Sequence, residues 1–342
     1  MLKGRKSAVG LDIGGSCIKA LEITRDKYDY IITGYGQIEV QSEADRSDAI
    51  RELFAQCRFR TKKVVTAVSG KSVIVRYLNM AKMSDENLES AIRFEADKYI
   101  PFDIEEVQID TERLMDIPGE GGKESNEMKV LLVAVKKTLV EEQASMLQQC
   151  GLSPTAIDVD AFAVGNAFEL NESLSPGMEE DKTIGLVDIG ANKTCINILR
   201  NHVSLFAREI YLGGNDFTNA ITRRLGVEVY EAESLKRDPH DREVEVQEAV
   251  SPVIEDLGNE INLSFDFFEN QYDGRVGQVY LSGGGSMLAS LEEEFEGFFE
   301  RRTRIWNPIE GLKIKSDNVD IDSLNKSSLQ LAVAVGLAAR AI

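Results

Sequence analysis

The chain has 342 residues, 43% of them hydrophobic and 28% charged, the composition of an ordinary globular protein long enough for two or more domains. Its 39 basic and 58 acidic residues give a net charge of −19, which argues against nucleic acid or an anionic membrane surface as a partner. The 4 cysteines show no CxxC spacing and there are only 2 histidines, so a zinc site and Ser-His or Cys-His catalysis have little to draw on.

The first half of the chain predicts a β-rich lobe that is interrupted by a compact module. The module begins with a helix that ends at Pro101, and Leu88, Ile92 and Tyr99 recur in it at helical spacing. Two strands and a second helix follow, so residues 84–155 have an α-β-β-α order. The predicted strands of the lobe are 8–13, 18–24, 30–40, 64–68 and 72–78 and its helix is 46–57, while the module has strands 106–116 and 128–136, a flexible loop at 118–127 between them and a helix at 138–150.

The second half predicts another lobe, which starts with the same strand–turn–strand order after a polar linker at 171–182. One internal duplication would explain this order. The later elements are helix 215–225, a charged helical stretch near 228–270, strand 276–282, helix 286–301 capped by Ser286, and a small-residue helix 328–341. The predicted parts are a first-lobe core (1–83, 156–180 and 326–342), an inserted subdomain (84–155), a second-lobe core (183–225 and 275–325) and a helical subdomain (226–274).

Two stretches place an aspartate and glycines where a buried strand turns. "VGLDIGGSCIKALEI" (9–23) contains Asp12 and Gly14, and "IGLVDIGANKTCINI" (184–198) contains Asp188 and Gly190. Glycines let backbone N–H groups approach an anion, and adjacent hydroxyl or amide side chains can bind phosphate oxygens. The aspartates would act through Mg²⁺ and its waters, because Mg²⁺ needs few protein carboxylates. The hydroxyl and amide groups are those of Ser16, Asn192 and Thr194.

Each turn taken alone is also compatible with a plain β-hairpin, since glycine turns are common. Matching turns at matching places in two lobes favour instead a pair of hairpins that close on a triphosphate. The sequence has no GxxxxGK[ST], and a strand rather than a helix follows each turn, so this is not a Walker loop.

Two further glycine clusters are suited to an adenosine group. "VYLSGGGSMLASL" (279–291) has a triple glycine after a strand, and "YLGGNDFTNAI" (211–221) has a glycine pair before a helix. Both are also compatible with ordinary turns. Glu233 and Lys236 share one helix face, and a surface ion pair is the simplest interpretation of them. The alternative is that they bind a ribose hydroxyl and a phosphate or base edge of a nucleotide.

The order of these motifs resembles that of the actin/Hsp70/sugar-kinase ATPase superfamily over nearly the whole chain. This resemblance implies an α/β, actin-like two-lobe fold of duplicated ribonuclease H-like domains. The inserted α-β-β-α module resembles that of FtsA. "RFEADKYIPFDIEEVQID" (93–110) resembles the PilM family of type IV pilus assembly more specifically, through its E-x-x-K-Y-I-P-F helix end.

The resemblance implies a site for ATP and Mg²⁺. Asp160, in "IDVDAFAVGNAF" (157–168), stands where superfamily ATPases keep a water-orienting Glu or Gln, and its shorter reach argues against efficient hydrolysis. The implied phosphate contacts are Gly14, Gly15, Ser16, Cys17 and Lys19 in the first turn and Gly190, Ala191, Asn192 and Thr194 in the second; the metal-linked waters belong to Asp12 and Asp188; and the adenosine contacts are Gly213, Gly214, Glu233, Lys236, Gly283, Gly284, Gly285 and Met287.

The resemblance further implies a cytoplasmic ATP-binding scaffold that binds the N-terminal peptide of a PilN-like inner-membrane protein. Its nucleotide state would tune that binding, other pilus platform proteins would be partners, and the chain could self-associate. The N-terminus shows no signal peptide and no window reaches the roughly 20 apolar residues of a membrane span, so we expect attachment to the membrane through a partner. The alternatives are an FtsA-like division protein, a GspL-like secretion protein and a small-molecule kinase.

Overall fold

The computed structural model describes residues 6–27, 29–95, 98–117, 126–174, 183–272 and 274–342. The chain forms two compact units: a large unit, Met1–Ala67 with Gln148–Ile342, and a small unit, Val68–Leu147. Most of the predicted loop at 118–127 and of the predicted linker at 171–182 lies outside the described residues. Within the described residues, no helix combines the length and the apolar character that crossing a membrane would require.

The large unit contains two sheets with matching topology. In each sheet three successive strands pair antiparallel, and a later strand pairs parallel with the first of them. The strands are β1 Lys6–Ile13, β2 Cys17–Asp26, β3 Asp29–Glu39, β4 Lys63–Val68, β8 Ser153–Val159, β9 Thr183–Ile189, β10 Thr194–Arg200, β11 Val203–Ile210, β12 Gln278–Ser282, β13 Arg302–Ile305 and β14 Lys313–Ile314. The first sheet has the order β14-β3-β2-β1-β4-β8 and the second β11-β10-β9-β12-β13. This repeat confirms an actin-like two-lobe α/β fold.

Two helices, α4 (Asp160–Leu174) and α10 (Ala332–Ala339), pack against each other between the sheets. A Cβ on Gly336 of α10 would collide with the carbonyl oxygen of Ala163 in α4, so the two backbones are in direct contact. Asn197 of β10 donates from Nδ2 to the Ala161 carbonyl at 2.8 Å, which ties α4 to the second sheet. The main core surrounds this helix pair.

The other helices of the large unit surround the sheets, and one of them differs from the sequence prediction. The predicted helix 286–301 begins only at Leu291, because Gly283 and Ser290 both have positive φ angles and interrupt the backbone. The Ser286 hydroxyl donates to the Gly283 carbonyl at 2.7 Å within a 3₁₀ turn, Gly284–Met287, and so does not cap a helix. These helices are α1 Arg46–Gln56, α5 Gly214–Leu225, α6 Val229–Arg237, α7 Glu243–Tyr272, α8 Leu291–Phe299 and α9 Ile321–Lys326.

The small unit begins earlier in the chain than the predicted module at 84–155. The strand predicted at 72–78, which the sequence assigned to the first lobe, pairs with the central strand of the small unit's own sheet, so the unit starts at Val68. Leu88 and Ile92 are buried in a core formed within this unit. Its elements are β5 Val73–Ala81, α2 Asp85–Glu95, β6 Val107–Asp116, β7 Glu127–Lys136 and α3 Lys137–Gln149, with the sheet order β5-β7-β6.

The contact between α4 and α10 predicts an unusual response to alanine. In an unconstrained helix interior, replacing glycine with alanine stabilises by about 0.5–1 kcal/mol. Gly336→Ala should instead lower the free energy of unfolding by about 1–3 kcal/mol, because the new methyl group meets the Ala163 carbonyl. Gly297→Ala in α8 is the matched control, because nothing lies within 4 Å of its added Cβ, and it should stabilise. Equal effects of the two changes in urea denaturation would show that the helices do not touch at Gly336.

Candidate functional site

The first turn, between β1 and β2, is closed by its own backbone. The Gly14 N–H donates to the Cys17 carbonyl at 3.1 Å, and Gly15 and Ser16 at the tip are exposed. Below the tip, the strand register places Asp12 opposite Lys19, whose Nζ lies 2.7 Å from Asp12 Oδ2. Burial lowers the pKa of Lys19, but the Asp12 carboxylate outweighs it, so the pKa is raised and the ammonium stays charged.

The second turn, between β9 and β10, is built in the same way. The Gly190 N–H donates to the Lys193 carbonyl at 2.9 Å. Asp188 lies at the end of β9, where its Oδ1 accepts a 2.8 Å hydrogen bond from the hydroxyl of Ser282 on β12. Thr194 is fully buried, and its hydroxyl donates to the Leu212 carbonyl at 2.8 Å. The Thr194 hydroxyl is therefore engaged inside the protein, next to the turn, whereas the resemblance implied that Thr194 contacts phosphate.

The two turns face each other. A Cβ on Gly15 would collide with the amide nitrogen of Asn192, so glycine at this position lets the tips approach closely. Burial raises the pKa of Asp188 to about 6, and the Ser282 hydrogen bond only partly opposes this. The charges on Lys19, Asp12 and Asp160 also act on this carboxyl group. Charged side chains from both lobes thus converge on one small region.

Asp160 is held by a lysine that the sequence analysis did not single out. Lys193 Nζ lies 2.8 Å from Asp160 Oδ2 and 2.9 Å from Glu209 Oε1. Asp160 begins α4, Lys193 belongs to the second turn and Glu209 lies on β11. The carboxylate expected to orient water is therefore neutralised by an ion pair.

The glycine pair at the start of α5 packs on the second turn. The N–H of Gly214 donates to the Gly190 carbonyl at 2.8 Å, and the N–H of Asn215 donates to the Ala191 carbonyl at 2.8 Å. A Cβ on Gly213 would lie 2.7 Å from the oxygen of Gly190, so only glycine allows this approach. The helix start and the phosphate turn consequently form one rigid piece of backbone.

The Glu233–Lys236 ion pair is formed, but its lysine is buried and its glutamate is partly exposed, whereas a surface ion pair was the simplest interpretation of the sequence. Lys236 is buried, and its Nζ lies 2.6 Å from Glu233 Oε1 and 2.8 Å from Thr218 Oγ1. It also donates to the Gly214 carbonyl at 3.2 Å. Burial lowers the pKa of Lys236. The pair therefore anchors the start of α5 to α6.

The three glycines after β12 have different roles. Gly283 has a φ of +86°, and a Cβ there or on Gly285 would collide with Ile189 at the end of β9. At Gly284 an added Cβ would meet only the side chain of Gln330, at 3.6 Å, which is ordinary van der Waals contact. Gly283 and Gly285 are thus required by the fold, and Gly284 is not. Met287 follows, with its sulfur 3.6 Å from Gln330 Nε2.

Lys193, Glu209, Ser282 and Gln330 are the side chains at this site that the sequence analysis missed. Lys193 lies inside the quoted second turn, but the other three come from β11, β12 and the approach to α10, and only folding brings Glu209 and Ser282 to the second turn and Gln330 to the loop at Gly284. Among the described residues, no group of three or more His, Cys, Asp or Glu side chains could hold a metal. The carboxylates of Asp12 and Asp188 still fit a Mg²⁺ ion that keeps most of its ligands as water and phosphate oxygens.

Comparison with known proteins identifies the family. The family model described as type IV pilus assembly protein PilM matches residues 10–342. This chain belongs to the PilM family. It is a type IV pilus assembly protein with an actin-like fold, as the stretch at 93–110 predicted.

A solved structure agrees with the family assignment, and two further proteins are similar to this chain. A solved PilM–PilN type IV pilus biogenesis complex contains a chain 30% identical to this PilM family member, with a TM-score of 0.84 and 99% of each chain covered. MreB 5 of Spiroplasma citri bound to AMPPNP has 12% identity, a TM-score of 0.54 and coverage of 97% and 94%, which shows the shared fold. Cell division protein FtsA of Bacillus subtilis (strain 168) is 25% identical over 256 residues; the match covers 67% of this chain but only 57% of FtsA.

The raised pKa of Asp188 predicts how stability depends on pH. The folded protein keeps this proton up to about pH 6, whereas the carboxyl group of an unfolded chain releases it near the ordinary value of 3.8. The folded state binds more protons between these values, so stability falls as pH rises through them. Asp188→Asn should therefore raise the free energy of unfolding above about pH 6, by up to roughly 3 kcal/mol, and have little effect below about pH 4.

Urea denaturation across this pH range measures the effect, and Asp12→Asn is the contrasting variant. That change leaves the Lys19 ammonium without its carboxylate partner and should destabilise the protein. If Asp188→Asn also destabilised the protein at neutral pH, the burial cost assigned to this carboxylate would be wrong.

Proposed function

We propose that this chain is an ATP-binding scaffold of type IV pilus assembly, in which the opposed turns hold the phosphates. The observation that carries the proposal is the approach of Gly15 to Asn192, which brings two glycine turns and their aspartates together. Exposed glycine backbone at the first tip and the polar tip of the second offer donors to an anion. The relative MreB 5, solved with AMPPNP, supports a nucleotide as the ligand.

Magnesium would accompany the nucleotide. Asp12 and Asp188 would hold its waters, and the ion would supply positive charge to the phosphates. Among the contacts of the described residues, Asp12 is engaged through Oδ2 and Asp188 through Oδ1, so each has a second oxygen for water. The adenosine would lie against Gly213, Gly214 and Gly284, beside the anchored Lys236.

Hydrolysis would be slow at most. Asp160 is shorter than the Glu or Gln that the resemblance leads one to expect at this position, and its carboxylate is engaged by Lys193. A general base has to reach the proton that it removes, directly or through one water. An ion-paired, short side chain is a poor candidate, so binding rather than turnover is the proposed function.

The PilM–PilN complex supports a PilN-like protein as the partner, and we propose that the N-terminal cytoplasmic peptide of such an inner-membrane protein is the segment that binds. Leu88 and Ile92 are consumed by the small unit's own core, so they do not offer a peptide-binding surface. Phe94, in the stretch that resembles the PilM family, is instead 91% exposed, and we place the peptide at this side chain. Such a partner would hold the protein at the membrane, where other platform proteins and further copies could join it.

Nucleotide state would tune partner binding by changing the balance between lobe arrangements. A ligand shifts such a balance only by the difference in its affinity for the two states. ATP would contact turns from both lobes, so its binding free energy depends on how the lobes are arranged. The family match favours this scaffold function over the FtsA-like, GspL-like and kinase alternatives.

Replacing Gly284 tests the nucleotide site. Gly284→Val should abolish or strongly weaken Mg·ATP binding, measured by isothermal titration calorimetry, because a branched side chain would fill the adenosine position. The fold should survive, because the added Cβ meets only Gln330 at 3.6 Å. Asp12→Ala and Asp188→Ala should each weaken Mg·ATP binding by about 1–3 kcal/mol. Gly297→Ala is the control with unchanged affinity. Wild-type affinity in folded Gly284→Val would move the adenosine elsewhere.

Replacing Phe94 tests the partner site. Phe94→Glu should weaken binding of a synthetic PilN-type N-terminal peptide by about tenfold or more, since an exposed aromatic anchor is lost and a negative charge is added. Stability and ATP affinity should not change, because the side chain is exposed. Tyr230→Glu is the matched control, an equally exposed aromatic residue (88%) in the large unit. Peptide binding that was insensitive to Phe94 would exclude this surface.

A further inference from the structure

Lys193 combines a position in the second turn with an ion-paired side chain. It lies between Asn192 and Thr194 in the second turn, and its carbonyl accepts the N–H that closes that turn. Its side chain reaches Asp160 at 2.8 Å and Glu209 at 2.9 Å, and all three side chains are mostly buried. Two carboxylates from two different elements therefore fix the direction of one ammonium group.

The ammonium group retains both its charge and a donor. Burial lowers the pKa of Lys193, but the carboxylates of Asp160 and Glu209 outweigh burial, so the pKa is raised and the charge persists at neutral pH. An ammonium group has three N–H donors. The hydrogen bonds described here for Lys193 engage two of them, which leaves the third for an oxygen of a ligand.

The local charges indicate which ligand atom would need Lys193. The charge of Lys19 is matched by its partner Asp12 at 2.7 Å. Lys193 places a positive charge between the carboxylates of Asp160 and Glu209 beside the second turn, where these carboxylates would otherwise repel a bound anion. A triphosphate carries one phosphate more than a diphosphate, so it suffers most from this repulsion and gains most from the cation.

We propose that Lys193, aimed by Asp160 and Glu209, recognises the terminal phosphate of a nucleoside triphosphate and gives the site its preference for ATP over ADP. This inference rests on the proposed function, because it assumes that the opposed turns bind phosphates. Lys193 is the ligand-contacting residue, and Asp160 and Glu209 are positioning residues.

The test compares the dissociation constants of Mg·ATP and Mg·ADP, measured by isothermal titration calorimetry on the full chain. Lys193→Met should weaken ATP binding by about tenfold, the loss of one charge-assisted hydrogen bond, and change ADP binding by no more than about twofold. Lys193→Arg keeps the charge and should retain most of the preference for ATP. Parallel weakening of ATP and ADP in Lys193→Met would show a purely structural role and overturn the proposal.

Glu209→Gln is the matched control at the same cluster. It removes one negative charge but keeps an acceptor for Lys193, so the preference for ATP should persist or increase. A loss of preference as large as that of Lys193→Met would overturn the assignment of Lys193 as the recognising group. A wild-type protein that binds neither nucleotide would refute the proposed function itself, whereas a wild type that binds both with a ratio insensitive to Lys193 would refute only this inference. Thermal unfolding midpoints check that each variant is folded.

Discussion

The direct backbone contact between α4 and α10 is the constraint on which the large unit depends. Gly10 of β1 lets α10 lie on the first sheet, where any Cβ would collide with the Ala334 carbonyl. Gly336 lets α10 lie on α4, and Asn197 ties α4 to the second sheet. Sheet, helix, helix and sheet are thereby stacked at close spacing, and packed interiors of this kind transmit small displacements rather than absorbing them. The strand ends that carry the two turns are positioned by this stack.

The packed helices and sheets hold one carboxyl group of the turns, that of Asp188, where its negative charge is unfavourable for folding. Asp188 is held where burial raises its pKa to about 6, so at neutral pH its charge opposes folding. Neutral residues would be more stable at such a position, and groups kept in a costly protonation state are typical of functional sites. Asp12 and Asp160 each have an ammonium group as partner, that of Lys19 and that of Lys193. Among the described residues, the hydrogen bond given for the Asp188 side chain comes from the neutral Ser282 hydroxyl, which suits a carboxylate that serves a metal-bound ligand.

The small unit follows a different principle, because it supplies its own core. Its helix α2 buries Leu88 and Ile92 against its three-stranded sheet. The side chain of Phe94, on the same helix, is exposed to solvent and is not part of that core. The division of one helix into a buried stripe and one exposed aromatic residue explains why helical spacing alone could not separate core positions from partner positions. The sequence analysis assigned the strand at Val73–Ala81 to the first lobe, but this strand pairs with the small unit's sheet. The apolar pattern of a strand does not indicate which sheet the strand joins.

Local sequence determined the elements and the two turns. Apolar alternation identified most strands to within one to three residues at each end, and the repeated Asp–x–Gly pattern located both turns, because side-chain spacing and glycine content depend only on neighbouring residues. The tertiary structure alone decided which charges are paired at the two turns. Glu209 comes from the next strand, Ser282 lies 94 residues after Asp188, and Gln330 reaches the separate loop at Gly284, so their contacts depend on sheet order and register. The helix predicted from Ser286 failed for a similar reason, since the fold bends the backbone at Gly283 and Ser290 to fit the loop against Ile189. Lys193 was visible in the sequence, but its role required the positions of Asp160 and Glu209, which only the packing of α4 beside the second sheet provides.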